Sequence, residues 1–357
     1  MKHLLYIGRP NLGENLFATA CLDILSKEYE ITLLVPVHTL PVFRSYQFIK
    51  RSLAGCNFQN KDALLPIYTA DELQRLTKNG DWYYAYHHDN DINFLKNYPF
   101  ISKLKKYPVL HDRDIGIYGS DYTQNIDPVN GLYLSRTKKY MLKLQLMALK
   151  DTENFDCTVR CPTFISDRLS DTIVVYQGSR DNLRKLPTET VYEFFKALPN
   201  ATYLVTEETA NTLNFNQLGV KYIQTSNFVD KSLIEILKLF ETRPKAMIGP
   251  DSGLTQLASA YKIPIVWLQS RIALENVIDS QYAKYCKVYF NANLTCDQMC
   301  MGCAATDALK TNTLPHGLFK IKKPFKDFKT LDCYKNKNPV CLRYTTCQIK
   351  EIINLIN

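Results

Sequence analysis

Ala246-Met-Ile-Gly-Pro-Asp251-Ser252-Gly253-Leu-Thr-Gln256-Leu-Ala-Ser-Ala260 decides the fold, because a short apolar strand here runs into a turn that opens a helix. Its Asp-Ser-Gly stands where the first backbone N–H groups of a helix lack intrahelical partners. Those donors, with the positive end of the helix dipole, suit a phosphate. Tyr261-Lys-Ile-Pro-Ile-Val-Trp-Leu268 then reads as the next strand. The unit is strand, loop, helix, strand, as in a nucleotide-binding α/β domain. Taken alone, the same segment also fits an ordinary helix start, with Asp251 or Ser252 capping and Gly253 allowing tight packing.

Working outward, a second such unit opens the chain. His3 to Ile7 is an apolar strand, Gly8-Arg-Pro-Asn-Leu-Gly13-Glu14-Asn15 a turn, Leu16 to Tyr29 a helix and Ile31 to Pro36 a strand. This is the start of a Rossmann-like half. Asp81 to Asp89 reads as a further strand ending in His87 and His88, and Tyr140 to Lys150 as a helix. Side chains alternate along a strand, so at most one of the two histidines faces a cleft. Asp151 to Asp171 has no period and reads as a linker. A second β/α series follows: a strand at Thr172 to Tyr176, a helix at Thr188 to Leu198, a strand at Thr202 to Val205, a helix at Lys231 to Phe240 and the strand at Ile248.

The bulk numbers agree with two domains of ordinary size: 357 residues, 46% hydrophobic and 22% charged. The formal charge of +9 favours an anionic ligand or surface, whether nucleotide phosphate, phosphorylated glycolipid, nucleic acid or an inner membrane leaflet. Basic and aromatic residues do not interleave in a nucleic-acid module, so nucleic acid is set aside. The apolar runs are too short to span a bilayer and the N-terminus lacks a signal-peptide pattern, so the expected location is the cytoplasm, with peripheral contact at the inner membrane face.

Several residue types at these loop ends carry chemistry. Glu14, directly after Gly13, is a carboxylate placed to accept a proton from a hydroxyl; it also suits the first turn of a helix electrostatically. Ser179, Arg184 and Lys185, in Gly178-Ser179-Arg180-Asp-Asn-Leu-Arg184-Lys185-Leu-Pro187, offer charge and fork-like donors for a pyrophosphate, or form a solvated basic loop. Glu207, after the strand ending at Val205, could hold ribose hydroxyls or simply begin a helix. Six of the eleven cysteines, Cys296, Cys300, Cys303, Cys333, Cys341 and Cys347, fall late in the chain. Four of them, Cys300, Cys303, Cys333 and Cys341, form a candidate structural zinc or iron site, set against free or alternately paired thiols.

These motifs together resemble glycosyltransferase family nine, the ADP-heptose:lipopolysaccharide heptosyltransferases, over nearly the whole length. Asn11-Leu12-Gly13-Glu14 is similar to that family's Leu-Gly-Asp segment, with Glu14 at the catalytic aspartate. Arg184-Lys185-Leu186-Pro187 is similar to its Lys-Arg/His-Trp-Pro motif, Thr206-Glu207-Glu208 stands where an acidic residue holds the nucleoside, and Asp251-Ser252-Gly253-Leu-Thr-Gln256 resembles Asp-Thr/Ser-Gly-x-x-His. Glu14 is one methylene longer than aspartate, and Gln256 cannot carry the charge of histidine. The Cys-rich insert is not general in the family, though cysteine-built iron fingers occur in related autotransporter heptosyltransferases.

The resemblance implies a GT-B fold. Residues 1–155 would be a Rossmann-like acceptor domain and 171–342 a Rossmann-like nucleotide-sugar domain with a Cys-rich insert at 294–341. Residues 343–357 would be a helix packing back on the first domain. It implies inverting transfer of a heptose or related hexose from a nucleotide-diphosphate donor, an ADP-sugar by preference, to a glycan, lipopolysaccharide or protein hydroxyl, with no cofactor for catalysis. Glu14 would be the base. Ser179, Arg184, Lys185, Glu207, Asp251, Ser252, Gly253 and Gln256 would bind donor, and Asn11, Gly13 and His87 acceptor. The rival expectation is a non-catalytic nucleotide-sugar or glycan-binding relative.

Overall fold

The computed structural model describes residues 1–9, 11–55, 67–86, 98–110, 135–151, 157–162, 167–178, 184–225, 230–268, 285–289 and 342–356. Its first half contains β1 (Lys2–Ile7), α1 (Leu12–Leu25), β2 (Tyr29–Val35), α2 (Leu40–Phe43), β3 (Ile49–Gly55), β4 (Ile67–Tyr68), α3 (Ala70–Leu76), β5 (Trp82–Tyr86), β6 (Lys105–Lys106) and α4 (Arg136–Lys143). The second half contains β7 (Ser170–Tyr176), α5 (Thr188–Ala197), β8 (Thr202–Val205), α6 (Glu207–Thr212), β9 (Tyr222–Gln224) and α7 (Asp230–Glu241). It continues with β10 (Pro244–Pro250), α8 (Gly253–Ala260), β11 (Ile265–Leu268), β12 (Cys286–Tyr289) and α9 (Thr346–Asn354).

Each half is built on one six-stranded sheet, ordered β4-β3-β2-β1-β5-β6 and β12-β11-β10-β7-β8-β9, with parallel pairing throughout. Parallel strands covered on both faces need continuous apolar runs, which is how Leu4 to Ile7 and Ile265 to Leu268 read and why all eight are buried. In such sheets ligands bind beyond the carboxyl ends of the strands, where the strand order reverses. That point lies between β1 and β5 in the first sheet and between β7 and β10 in the second. The architecture is the expected GT-B arrangement of two Rossmann-like sheets.

The halves meet through helices, α1 against α8 and α2 against α7. One apolar cluster runs through both, from Leu4 and Leu16 by way of Leu254 and Leu257 to Trp267. Consequently α1 is buried around most of its circumference, including Leu16, Phe17, Ala18, Ala20 and Cys21. Part of the expected linker also docks on this helix: the Arg160 N–H donates to Thr19 Oγ1 at 3.0 Å, and its Nε bonds Asp23 Oδ2 at 2.7 Å.

Three expectations are corrected. The first helix begins at Leu12, not Leu16, because Asn15 is satisfied inside it: its Oδ1 accepts from the Arg9 N–H at 2.6 Å and its Nδ2 donates to the Arg9 carbonyl at 2.9 Å. Glu14 therefore sits within the first turn. The helix expected to reach Lys150 ends at Lys143, where Gln145 takes a left-handed conformation (φ 57°) and Leu146 N–H bonds back to the Met141 carbonyl, a helix-stopping motif. Finally, α9 lies against α5 of the second half rather than on the first domain. Its apolar stripe, Ile349 and Ile352, joins Leu186, Val191 and Phe194, and Thr346 and Glu351 bond Glu193 and Tyr289 at 2.9 and 2.7 Å.

Candidate functional site

Two loops at the switch points supply the site, and α1 and α8 bring them together. The β1–α1 loop carries Asn11, exposed at the helix start without a side-chain capping bond, and then Gly13 and Glu14. Glu14 is held by two groups. The Tyr140 hydroxyl, from α4, donates to its Oε2, and Arg9 Nη1 lies 3.8 Å from the same oxygen. Two positive or donating partners favour the ionised carboxylate and fix its direction. Tyr140 was not singled out from the sequence, since it lies 126 positions away and no local spacing links it to Glu14.

The β10–α8 loop carries Asp251, Ser252 and Gly253. Ser252 is extended and its Oγ accepts from Leu254 N–H at 3.2 Å, so the residue is indeed a helix cap. Asp251 is only 1% exposed, and its carboxylate is divided between two partners. Arg184 Nη1 bonds Oδ2 at 2.9 Å, and Gln256 Nε2 donates to Oδ1 at 3.1 Å. Tyr176, at the end of β7, completes the group. Burial pushes its phenol up to about 12, against the opposing pull of a hydrogen bond with Ser252 and the Arg184 charge.

Arg184 reaches Asp251 because its own loop folds tightly onto β7. Gly178 has φ +123° and pairs with Lys185, and a Cβ there would lie 2.1 Å from the Arg184 carbonyl oxygen and 2.9 Å from Pro250 Cγ. Only glycine fits that approach. The buried Gln177 amide then ties this loop to the next strand end. Its Nε2 donates to the Leu186 carbonyl at 3.1 Å and Thr209 Oγ1 at 2.7 Å, while its Oε1 accepts from Thr206 N–H at 2.9 Å. Thr206 caps α6, so Glu207 is set, exposed, on the same rim as Arg184 and Lys185. Gln177 also escaped the sequence reading; a lone glutamine after a strand gives no signal.

The two loops touch. A Cβ on Gly13 would lie 2.3 Å from Gln256 Oε1 and 3.4 Å from Gly253 Cα, and one on Gly253 would lie 3.0 Å from the Gly13 nitrogen. Both glycines are thus required by close backbone approach, and Glu14 is brought beside the start of α8. Of the residues expected in the site, Glu14, Asn11 and Gly13 share one loop, while Arg184, Lys185, Asp251, Ser252, Gly253 and Gln256 gather at the β7/β10 switch point. Ser179, His87 and the four expected metal ligands, Cys300, Cys303, Cys333 and Cys341, lie outside the described residues. Among the described residues no cluster of three or more His, Cys, Asp or Glu side chains could hold a metal, and no helix is long and apolar enough to cross a membrane.

This geometry recurs in known proteins. A glycosyltransferase family 9 structure from Veillonella parvula is similar over 99% of this chain and 96% of its own, with 12% identity and a TM-score of 0.55. The E. coli ADP-heptose lps heptosyltransferase II is similar over 87% of this chain and 99% of its own, with 13% identity and a TM-score of 0.54. The fold is shared with family 9 glycosyltransferases. No protein-family model matches the sequence and no curated protein matches it.

Proposed function

We propose that the protein is a glycosyltransferase that moves a sugar from a nucleoside-diphosphate donor to an acceptor hydroxyl with inversion at the anomeric carbon. The observation that carries this reading is the meeting of α1 and α8. It places one ionised carboxylate, Glu14, opposite a helix start flanked by Arg184, at the switch points of two Rossmann-like sheets.

The chemistry follows from that placement. Glu14 takes the proton of the acceptor hydroxyl; the oxygen attacks the anomeric carbon, and the bond from that carbon to the diphosphate breaks with its electron pair going to the phosphate oxygen. Tyr140 and Arg9 hold Glu14 in line for this transfer, a role of general base catalysis contributing about 10²–10⁴ in rate. Arg184, Lys185 and the N–H groups at the start of α8 face the charge that develops on the departing diphosphate, the kind of stabilisation that amounts to a few kcal/mol. Glu207, on the rim beyond Gln177, is placed for the nucleoside.

An ADP-sugar is the proposed donor, in line with the E. coli heptosyltransferase of the same fold, and a glycan, glycolipid or protein the acceptor. The charge of +9 supports work at an anionic inner membrane face from the cytoplasm. The late cysteines are proposed to hold a structural zinc or iron. The test of the activity is release of nucleoside diphosphate from ADP-, UDP- and GDP-sugars with bacterial glycolipid acceptors, in parallel with Glu14→Ala. Binding of donors without turnover in any combination would favour a non-catalytic binding protein instead.

A further inference from the structure

Gln256 lies one turn into α8 and is 5% exposed. Its orientation is fixed by its neighbour: the Asp251 carboxylate, paired with Arg184, can only accept hydrogen bonds, so it must face the amide NH2, and Nε2 indeed donates to Oδ1 at 3.1 Å. The carbonyl oxygen is therefore turned the other way. Oε1 is buried without a hydrogen-bond partner. It faces Gly13, on whose side the absent Cβ would come within 2.3 Å of it. Buried polar atoms are nearly always paired, so an acceptor held unpaired beside a binding site calls for an explanation.

The unmet atom is an acceptor, and that limits what can meet it. Phosphate oxygens are acceptors as well and would be repelled. A hydroxyl donates. Between Glu14, the proposed base, and the start of α8, which faces the leaving diphosphate, the group next to Gln256 must be the transferred sugar; the nucleoside lies towards Glu207. We propose that Gln256 accepts a hydrogen bond from one hydroxyl of the transferred sugar and selects the donor by it, making no contact with the diphosphate. This rests on the nucleotide-sugar reading above. Asp251 and Arg184 act here as positioning residues that fix which end of the amide faces the sugar.

The experiment is calorimetric binding of ADP, ADP-heptose, ADP-glucose, UDP-glucose and GDP-mannose to the wild type, Gln256→Met and Gln256→His. Methionine keeps the shape and removes the acceptor. It is expected to weaken the bound nucleotide-sugar at least tenfold while the matching nucleoside diphosphate changes less than twofold. Histidine can give one ring N–H to Asp251 and keep the other nitrogen as acceptor, and should recover part of the loss. A second arm needs no variant: deoxy analogues of the bound donor, altered at one sugar position at a time, are titrated into the wild type, and one position should lose at least tenfold. Equal weakening of nucleoside diphosphate and nucleotide-sugar in Gln256→Met, or no deoxy position that matters, overturns the assignment of Gln256 and leaves the enzyme reading standing. Failure of all five ligands to bind the wild type overturns the nucleotide-sugar reading, and the inference with it.

Discussion

The two helix starts that face each other across the molecule, α1 and α8, are built on opposite principles. At α1 the chain ties down its own polar groups: Asn15 bridges both backbone atoms of Arg9, and Tyr140 and Arg9 converge on Glu14. At α8 the carboxylate of Asp251 is satisfied, yet its partner Gln256 is left with an unmet acceptor in a buried place. The difference separates two tasks. A proton acceptor must be held in one direction before substrate arrives, whereas a binding surface keeps unmet polar groups that only the ligand satisfies.

Variants that attack one start and spare the other can break that comparison. The largest effect is expected for Glu14→Ala, which should lower the initial rate of nucleoside diphosphate release about 10²–10⁴-fold and leave donor affinity unchanged. An equal loss of donor affinity would place Glu14 in binding instead. Arg184→Ala strips a nearly fully buried carboxylate of its cation and, with Arg184 itself partly exposed, should destabilise the fold by about 2 kcal/mol in urea titrations and also weaken donor binding. Should the donor Kd stay fixed, the cation would be structural only. Tyr140→Phe removes one hydrogen bond to Glu14 and should slow turnover about tenfold with donor Kd unchanged. In a Glu14→Ala background the same change should have no further effect on rate; a persisting loss would show that Tyr140 acts elsewhere.

The smallest effect concerns pH and sharpens the picture of the α8 side. Tyr176 is raised to about 12 from an ordinary value of 10 because its buried site disfavours the phenolate. The folded state therefore keeps its proton while the unfolded chain loses it. The resulting stability is fully present below pH 10 and is lost as pH rises towards 12, by at most about 2–3 kcal/mol. Burial also raises Tyr203 and Tyr289, so the measurement is the difference between wild type and Tyr176→Phe in melting temperature across pH 9 to 12. A phenylalanine variant with the same alkaline slope would mean that Tyr176 already ionises at its ordinary pH in the fold.

Much of the frame was legible along the chain, for reasons that are local. Strands such as Leu4 to Ile7 and Ile265 to Leu268 are apolar runs because both of their faces are covered, and Asp251-Ser252-Gly253 announces a helix start through capping chemistry alone. Boundaries were less legible. The first helix begins four residues earlier than its apolar spacing suggested because Asn15 is satisfied by Arg9, and α4 stops at a left-handed Gln145 where glycine would have signalled the end. The partner of α9 could not be read at all, since an amphipathic stripe states that a helix is covered and not by what.

The sequence by itself determined two α/β halves, the loops that carry Glu14, Arg184 and Asp251, and the type of chemistry each side chain can perform, because propensity, capping and charge act over a few residues. Only the tertiary structure decided what those groups do to one another. Tyr140 reaches Glu14, Gln177 binds three chain segments together, and Gly13 meets Gln256 and Gly253. Those contacts join positions far apart in the chain, and their geometry comes from packing helices and sheets into one core, which no local pattern encodes.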